Sequence, residues 1–176
     1  LHLGGEDLAF PHHEDEIAQS EGATGEPFVK HWLHGAHLLV EGKKMSKSLG
    51  NFYVLKDLLE KGFEGREIRQ LMISAHYRET FNFTLSGLEG ARTAMARIDE
   101  CISKLREAAG DTTAEVATEV IENFTAALDE DLNVSSAWAV VFDWVRDCNR
   151  RLAEGAMDAA AAAAELAAWE RIDTVL

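Results

Sequence analysis

Residues 43–51 read KKMSKSLGN, and they follow the apolar run LHGAHLLV at 33–40. Three lysines in this stretch contrast with a formal net charge of -14 for the chain of 176 residues. The apolar run predicts a strand, and EGKK predicts a turn that leads out of it. Lys44 and Lys47 lie three residues apart with serine hydroxyls beside them, so the loop predicts a small cationic clamp for phosphate groups.

The composition is that of a globular domain rather than a membrane protein. Hydrophobic residues make up 47% and charged residues 27% of the chain, and no apolar stretch approaches the ~20 residues that cross a bilayer. The two cysteines, Cys101 and Cys148, lie in helical patterns without a pairing or metal-binding spacing. We therefore expect both to be small buried apolar side chains, in a cytoplasmic protein without a membrane partner.

Charge and histidine content differ between the two halves of the chain. Residues 1–80 contain 9 Lys and Arg against 13 Asp and Glu, whereas residues 81–176 contain 8 against 18. All seven histidines lie at or before His76. The first half therefore carries the groups that titrate near neutral pH, and the acidic second half disfavours non-specific binding to nucleic acid.

Long amphipathic helices are predicted from about Thr84 onward. Apolar residues recur at intervals of three and four from Leu85 to Leu105, and the same period returns in 116–128 and 138–152. The Ala-rich stretch that follows favours a helix by propensity alone. These stripes predict the core of a helical bundle.

The first half mixes strands with shorter helices, so the predicted fold class is α/β followed by all-α. LHL before GGED predicts a strand that ends in a loop. Pro11 then suits the first turn of a helix that extends to about Ser20. Helices return at LKDLLEKG, where Gly62 is a good stop, and at REIRQLMISAHY.

Two short motifs in the first half could carry chemistry. The glycines of GGED allow close approach of a ligand, and Asp7 could accept hydrogen bonds from ribose hydroxyls, although such turns are also common structural features. In FPHHEDE, His12 and Glu16 are four residues apart and share a helix face, while His13 and Asp15 are expected to point elsewhere. This pair suits zinc but supplies only two of its four usual ligands, and a solvated acidic helix start is the alternative.

KMSKS with LGN, after His34-Gly35, resembles the signature loop of class I aminoacyl-tRNA synthetases. GGEDLAFPHHEDEIAQSE narrows the resemblance to the cysteinyl-tRNA synthetase family, and it continues through HYR and FTAALDEDLNVSSAWAVVFDWVRDCNR. The resemblance implies the C-terminal half of a Rossmann-like catalytic domain over 1–52, a helical stem-contact connection over 53–82, and a truncated DALR-type bundle on the tRNA-binding side over 83–176. Leu3 departs from the family's first glycine of three, and Asp15 stands where asparagine is frequent.

The resemblance also implies a role for each motif. Gly5 and Asp7 would bind ATP, which enters with Mg²⁺, and Lys44 and Lys47 would bind its phosphates and stabilise the departing pyrophosphate. His12 and Glu16 would be two of four ligands of a zinc ion that binds the thiolate of L-cysteine. The implied reaction is formation of cysteinyl adenylate and transfer of cysteine to the 3′ end of tRNA(Cys).

Two other interpretations stay open. A paralogous ligase of mycothiol synthesis also activates cysteine, but the acid at Glu16 and the helical region favour the synthetase. The HIGH motif, the first half of the nucleotide-binding fold, both cysteine zinc ligands and the anticodon-reading domain are missing from these 176 residues. We therefore expect a fragment of a longer polypeptide, inactive by itself, and a non-catalytic binding piece is the second alternative.

Overall fold

A computed structural model describes all residues, Leu1–Leu176, and packing divides them into two units. The first unit comprises Leu1–Val54 with Tyr77–Thr84, and the second comprises Leu55–His76 with Leu85–Leu176. The predicted order, α/β followed by all-α, is confirmed. The three segments predicted from the sequence as functional domains stay a prediction.

The first unit contains two small sheets. In one, β1 (His2–Gly5) pairs in parallel with β2 (Trp32–Gly35), which places Gly4 opposite His34. In the other, β3 (Leu38–Val40) lies between antiparallel β4 (Lys43–Lys44) and parallel β5 (Phe81–Phe83).

The prediction of a single strand over 33–40 is wrong. The run is divided between β2 and β3, which belong to different sheets. At the break, the backbone N–H of Ala36 donates to the carbonyl of Tyr77 at 2.8 Å instead of continuing either ladder. An apolar pattern cannot reveal this switch, because the partner lies about forty residues further along the chain.

The helix after Pro11 begins and ends later than predicted. Residues Ala9–His13 form a separate helical turn, in which Phe10 has an extended backbone. Helix α1 then covers Glu14–Thr24 with its acids in the first turn. It ends at Gly25, whose φ of 73° is favourable for glycine and whose N–H donates to Glu21 at 2.8 Å.

The second unit is helical. Its six helices are α2 (Leu55–Glu60), α3 (Gly65–Met72), α4 (Leu85–Ala109), α5 (Thr118–Asp129), α6 (Val134–Ala153) and α7 (Ala159–Asp173). Gly62 follows α2 and has a φ of 86°, the left-handed conformation that a glycine adopts at a helix end, as predicted. No helix in the chain has both the length and the apolar character that a membrane-spanning segment needs.

The predicted stripes form the core of the second unit. Ile98 and Leu105 of α4 are fully buried, as is Val141 of α6. Cys101 and Cys148 are also buried and free, which confirms the expectation of small buried side chains. A hydrogen bond with the Cys101 thiol, together with burial, raises the pKa of the Cys148 thiol, so that this group stays protonated.

Candidate functional site

The carboxyl end of β1 brings side chains unusually close to the backbone. A Cβ atom added at Gly5 would lie 2.4 Å from Oδ1 of Asp7, and one added at Gly4 would lie 2.7 Å from Cε1 of His13. Both contacts are shorter than a methyl group tolerates. Gly4 therefore makes room for the buried His13 ring, whereas the exposed Asp7 side chain is free to turn away from a larger residue at position 5.

Asp7 lies in a small charged group that the sequence analysis missed. Nδ1 of His37 donates to Oε1 of Glu6 at 2.6 Å, and Nε2 of His37 lies 3.9 Å from Oδ1 of Asp7. All three side chains are more than half exposed. The carboxylate of Asp7 is thus open to solvent and available to hydroxyl donors.

The carboxylate of Glu16 lies among three imidazoles. Its oxygens are 2.9 Å from Nε2 of His2, 3.7 Å from Nε2 of His12 and 4.0 Å from Nε2 of His13. The expected proximity of His12 and Glu16 on one helix face is present. The expectation that His13 points elsewhere is wrong, because its Nε2 faces Glu16 and its ring occupies the space that a Cβ atom at Gly4 would need.

His13 is the most buried of these imidazoles, with 3% of its side chain exposed. Its Nδ1 and Nε2 of His34 share a hydrogen bond of 2.8 Å. Burial lowers the pKa of His13, and the neighbouring His2 and His34 rings lower it further. The ring is therefore neutral near pH 7, the form that can donate an electron pair to a metal.

The donor set around Glu16 fits a zinc ion. Oε2 of Glu16 is buried and accepts no hydrogen bond, although Nε2 of His2 lies 2.9 Å from it. The ligand atoms of His2, His13 and Glu16 all lie within 4.8 Å of one another, and His12, the predicted ligand, is outside this group and close to Glu16 alone. Tetrahedral zinc places neighbouring N and O ligands about 3.4 Å apart, a separation that the 3.7 Å between His12 and Glu16 approaches.

The lysine loop (residues 43–51) contains Lys44 and Lys47, whose side chains are exposed and form no ion pair. Lys44 ends β4, and Lys47 begins a short turn, Lys47–Leu49. The hydroxyls of Ser46 and Ser48 are hydrogen-bonded to each other at 2.8 Å. Nζ of Lys47 lies 5.3 Å above the ring centre of Phe52. Both charges therefore remain available to an anion.

Comparison with known proteins places these features in a family. Residues 1–93 match the family described as tRNA synthetases class I (C) catalytic domain, and residues 123–176 match the DALR domain. The chain belongs to the class I (C) tRNA synthetase family. These two matches confirm the resemblance to class I tRNA synthetases that the motifs indicated. They also confirm the DALR-type helical region.

Curated relatives of this synthetase chain are cysteine–tRNA ligases. The Chlamydia pneumoniae protein is 43% identical over the whole chain, which covers 38% of that protein. The Solibacter usitatus protein is 45% identical over 99% of the chain and 39% of its own length. That of Chlamydia trachomatis serovar D is 48% identical over 85% of the chain and 32% of its length. The chain thus spans less than two fifths of these relatives.

A solved structure supports the same fold. It is a crystal structure of the ternary complex of the Agrobacterium radiobacter K84 agnB2 LeuRS with tRNA and LeuAMS. The TM-score is 0.69 at 19% identity, over 94% of this chain and 24% of that one. The likeness extends across the catalytic and helical parts of the synthetase fold.

Proposed function

We propose that the chain is a segment of a cysteine–tRNA ligase, which activates L-cysteine with ATP and transfers it to the 3′ end of tRNA(Cys). The observation that carries the proposal is the identity of 43% to a cysteine–tRNA ligase over the entire chain. The site is consistent with this proposal. The first unit contains an exposed carboxylate that could bind ribose, a group of side chains that could bind a metal, and a cationic loop.

In this proposal the ATP site is formed by the end of β1 and the lysine loop. Asp7 accepts hydrogen bonds from the ribose hydroxyls, and Gly5 lets the nucleotide approach the backbone. Lys44 and Lys47 bind the phosphates, whose Mg²⁺ enters with ATP. When the carboxylate of cysteine attacks the α-phosphate, negative charge develops on the departing pyrophosphate, and Lys47 stabilises it.

His12 and Glu16 are the residues that would hold zinc, together with two ligands from outside this chain. A zinc ion would prefer the thiolate of cysteine over the hydroxyl of serine as a ligand, which would separate these two amino acids. Glu16 supplies the negative charge of the donor set, and His12 supplies a nitrogen from the same face of the helix. The buried neutral ring of His13 lies beside them, with its Nε2 4.0 Å from Glu16 and its ring centre 5.7 Å from that of His12.

We also propose contacts with tRNA and a cytoplasmic location. We assign 53–82 to a connection that contacts the tRNA stem, and 83–176 to the tRNA-binding side. The DALR match at residues 123–176 supports this assignment. Two free, buried cysteines are consistent with a cytoplasmic enzyme.

The test is cysteine-dependent exchange of pyrophosphate into ATP by a protein of the relatives' length that contains this segment. We expect exchange with cysteine but not with serine, and none from the 176-residue chain alone, which contains no HIGH motif. Exchange by the isolated chain would refute the fragment assignment, and a full-length protein inactive with cysteine would refute the function.

The same assay tests Lys47 against Lys43. Lys47→Ala should lower kcat by about 10²-fold or more, roughly 3 kcal/mol, because one preorganised charge donor is lost at the transition state. The KM for ATP should change much less. Lys43→Ala is the matched control and should be mild. Equal losses in both variants would mean that the loop only attracts anions.

A further inference from the structure

The amide of Asn51 holds the base of the lysine loop. Its Oδ1 accepts from the backbone N–H of Ser46 at 2.9 Å, and its Nδ2 donates to the carbonyls of Val40 at 3.0 Å and Lys44 at 3.2 Å. The residue is only 9% exposed. One side chain therefore joins the end of β3, the end of β4 and Ser46 within the loop.

The loop itself has few other constraints. Within it, the N–H of Leu49 donates to Ser46 and that of Gly50 to Lys47, both at 3.2 Å. Lys47, Ser48 and Leu49 are exposed, and the side-chain contacts of Lys47 with Phe52 and of Ser48 with Ser46 stay within or next to the loop. The direction in which the loop leaves the sheet consequently depends on the backbone atoms that Asn51 holds.

An amide is required for this set of bonds. It offers an acceptor and two donors on one short side chain, whereas a carboxylate offers acceptors only and alanine offers neither. Removing the amide would leave the carbonyl of Val40 and the N–H of Ser46 without their partner, a cost that the backbone would reduce by moving. The backbone that would move leads directly to Lys47.

We propose that Asn51 is a positioning residue for adenylate formation, which acts by orienting Lys47 through the base of the loop. The inference rests on the proposed function. If Lys47 acts only as charge develops on pyrophosphate, a small displacement of its backbone lowers the rate of activation without preventing ATP from binding. Asn51 should therefore affect kcat more than the KM for ATP.

The experiment measures cysteine-dependent pyrophosphate exchange in the full-length protein with Asn51→Ala and Asn51→Asp. Both should lower kcat by about 10-fold or more, with a smaller change in the KM for ATP. Asp keeps the acceptor for Ser46 but loses both donors, so rescue by Asp would overturn the role of the bonds to Val40 and Lys44.

Asn82 of β5, in the sheet that also contains β3 and β4, offers a matched control. Its Oδ1 accepts from the N–H of Gly42 at 2.8 Å and so holds the turn between β3 and β4 rather than the loop. Asn82→Ala should leave kcat within about 2-fold and should not speed trypsin cleavage after Lys47, whereas Asn51→Ala should speed it. Equal effects of the two variants on kcat would overturn the inference.

Combining Asn51→Ala with Lys47→Ala shows whether Asn51 acts through Lys47. The double variant should match Lys47→Ala to within about 2-fold, since the interaction to be oriented is already absent. Multiplicative losses would overturn the inference. A wild-type protein without exchange activity would refute the proposed function itself, whereas an active wild type with an unaffected Asn51→Ala would refute this inference alone.

Discussion

The two units differ in what fills their interiors. In the first, only Val40 and Phe83 are buried apolar side chains, and they share the interior with His13 and Asn51. The second has a continuous apolar core, shared by α4, α5, α6 and α7. Polar groups of the first unit are held by individual hydrogen bonds, whereas the helices of the second are held by burial of many apolar side chains.

The two kinds of interior respond differently to mutation. Apolar burial is non-directional, so the loss of one side chain from a large core lowers stability but leaves the fold. Hydrogen bonds and metal ligands are directional, so the loss of one group changes local geometry and chemistry. We therefore expect stability effects mainly in the second unit and functional effects mainly in the first.

The largest expected effect on stability is at Leu105, which is fully buried in α4. Leu105→Ala should lower the free energy of unfolding by about 2–5 kcal/mol, because a cavity remains in a close-packed core. Urea unfolding followed by helical circular dichroism measures this loss. Leu59→Ala, at a side chain that is 47% exposed, is the control and should cost less than about 0.5 kcal/mol. Similar values for both would contradict the view of a continuous core.

A substitution at Glu16 should impair metal and cysteine binding rather than stability. Glu16→Ala in the full-length protein should weaken zinc binding by at least about 10-fold and loosen cysteine binding, with little change in the unfolding midpoint. Zinc content after dialysis and cysteine affinity are the measurements. Glu14→Ala, an exposed acid in the same helical turn, should retain the metal. Unchanged zinc stoichiometry with unchanged cysteine affinity would remove Glu16 from the site.

Local patterns predicted the helices and part of the site. Intervals of three and four gave the core positions of α4 and α6, and a spacing of four brought His12 and Glu16 together. These successes share a cause, because a helix converts sequence spacing directly into position on one face. The stop at Gly62 followed from the same kind of local rule.

The features that the sequence did not reveal depend on distant partners. His37 meets Glu6 across thirty-one positions, and Asn51 bonds to carbonyls on two strands. His13 was misplaced because a spacing of three also brings two side chains to one helix face, and because the space beside Gly4 admits its ring. Such contacts depend on how strands are paired and on the space left by a glycine, neither of which has a periodic signal.

The smallest expected effect concerns a polar group inside the apolar unit. Glu67 of α3 is buried, accepts from Nε of Arg92 at 2.9 Å and also accepts from the backbone N–H of Glu64 at 2.8 Å. The hydrogen bond from Arg92 holds the pKa of Glu67 below the ordinary glutamate value of 4.5, and the bond from Glu64 adds to this. Glu67 thus combines the directional bonding of the first unit with the burial of the second.

Glu67→Gln should lower the free energy of unfolding by about 1 kcal/mol at neutral pH, since the charge-assisted bond to Arg92 is lost. A carboxylate with a lowered folded-state pKa stabilises the protein above its unfolded pKa, and this contribution disappears as the pH falls through the folded value. The gap between wild type and variant should therefore be full above pH 4.5 and close in more acidic solution. Urea midpoints across this range measure the gap. Glu89→Gln removes an exposed acid 3.3 Å from the same Arg92 and should show almost no gap. A gap independent of pH would mean that Glu67 stabilises α3 by its shape and not by its charge.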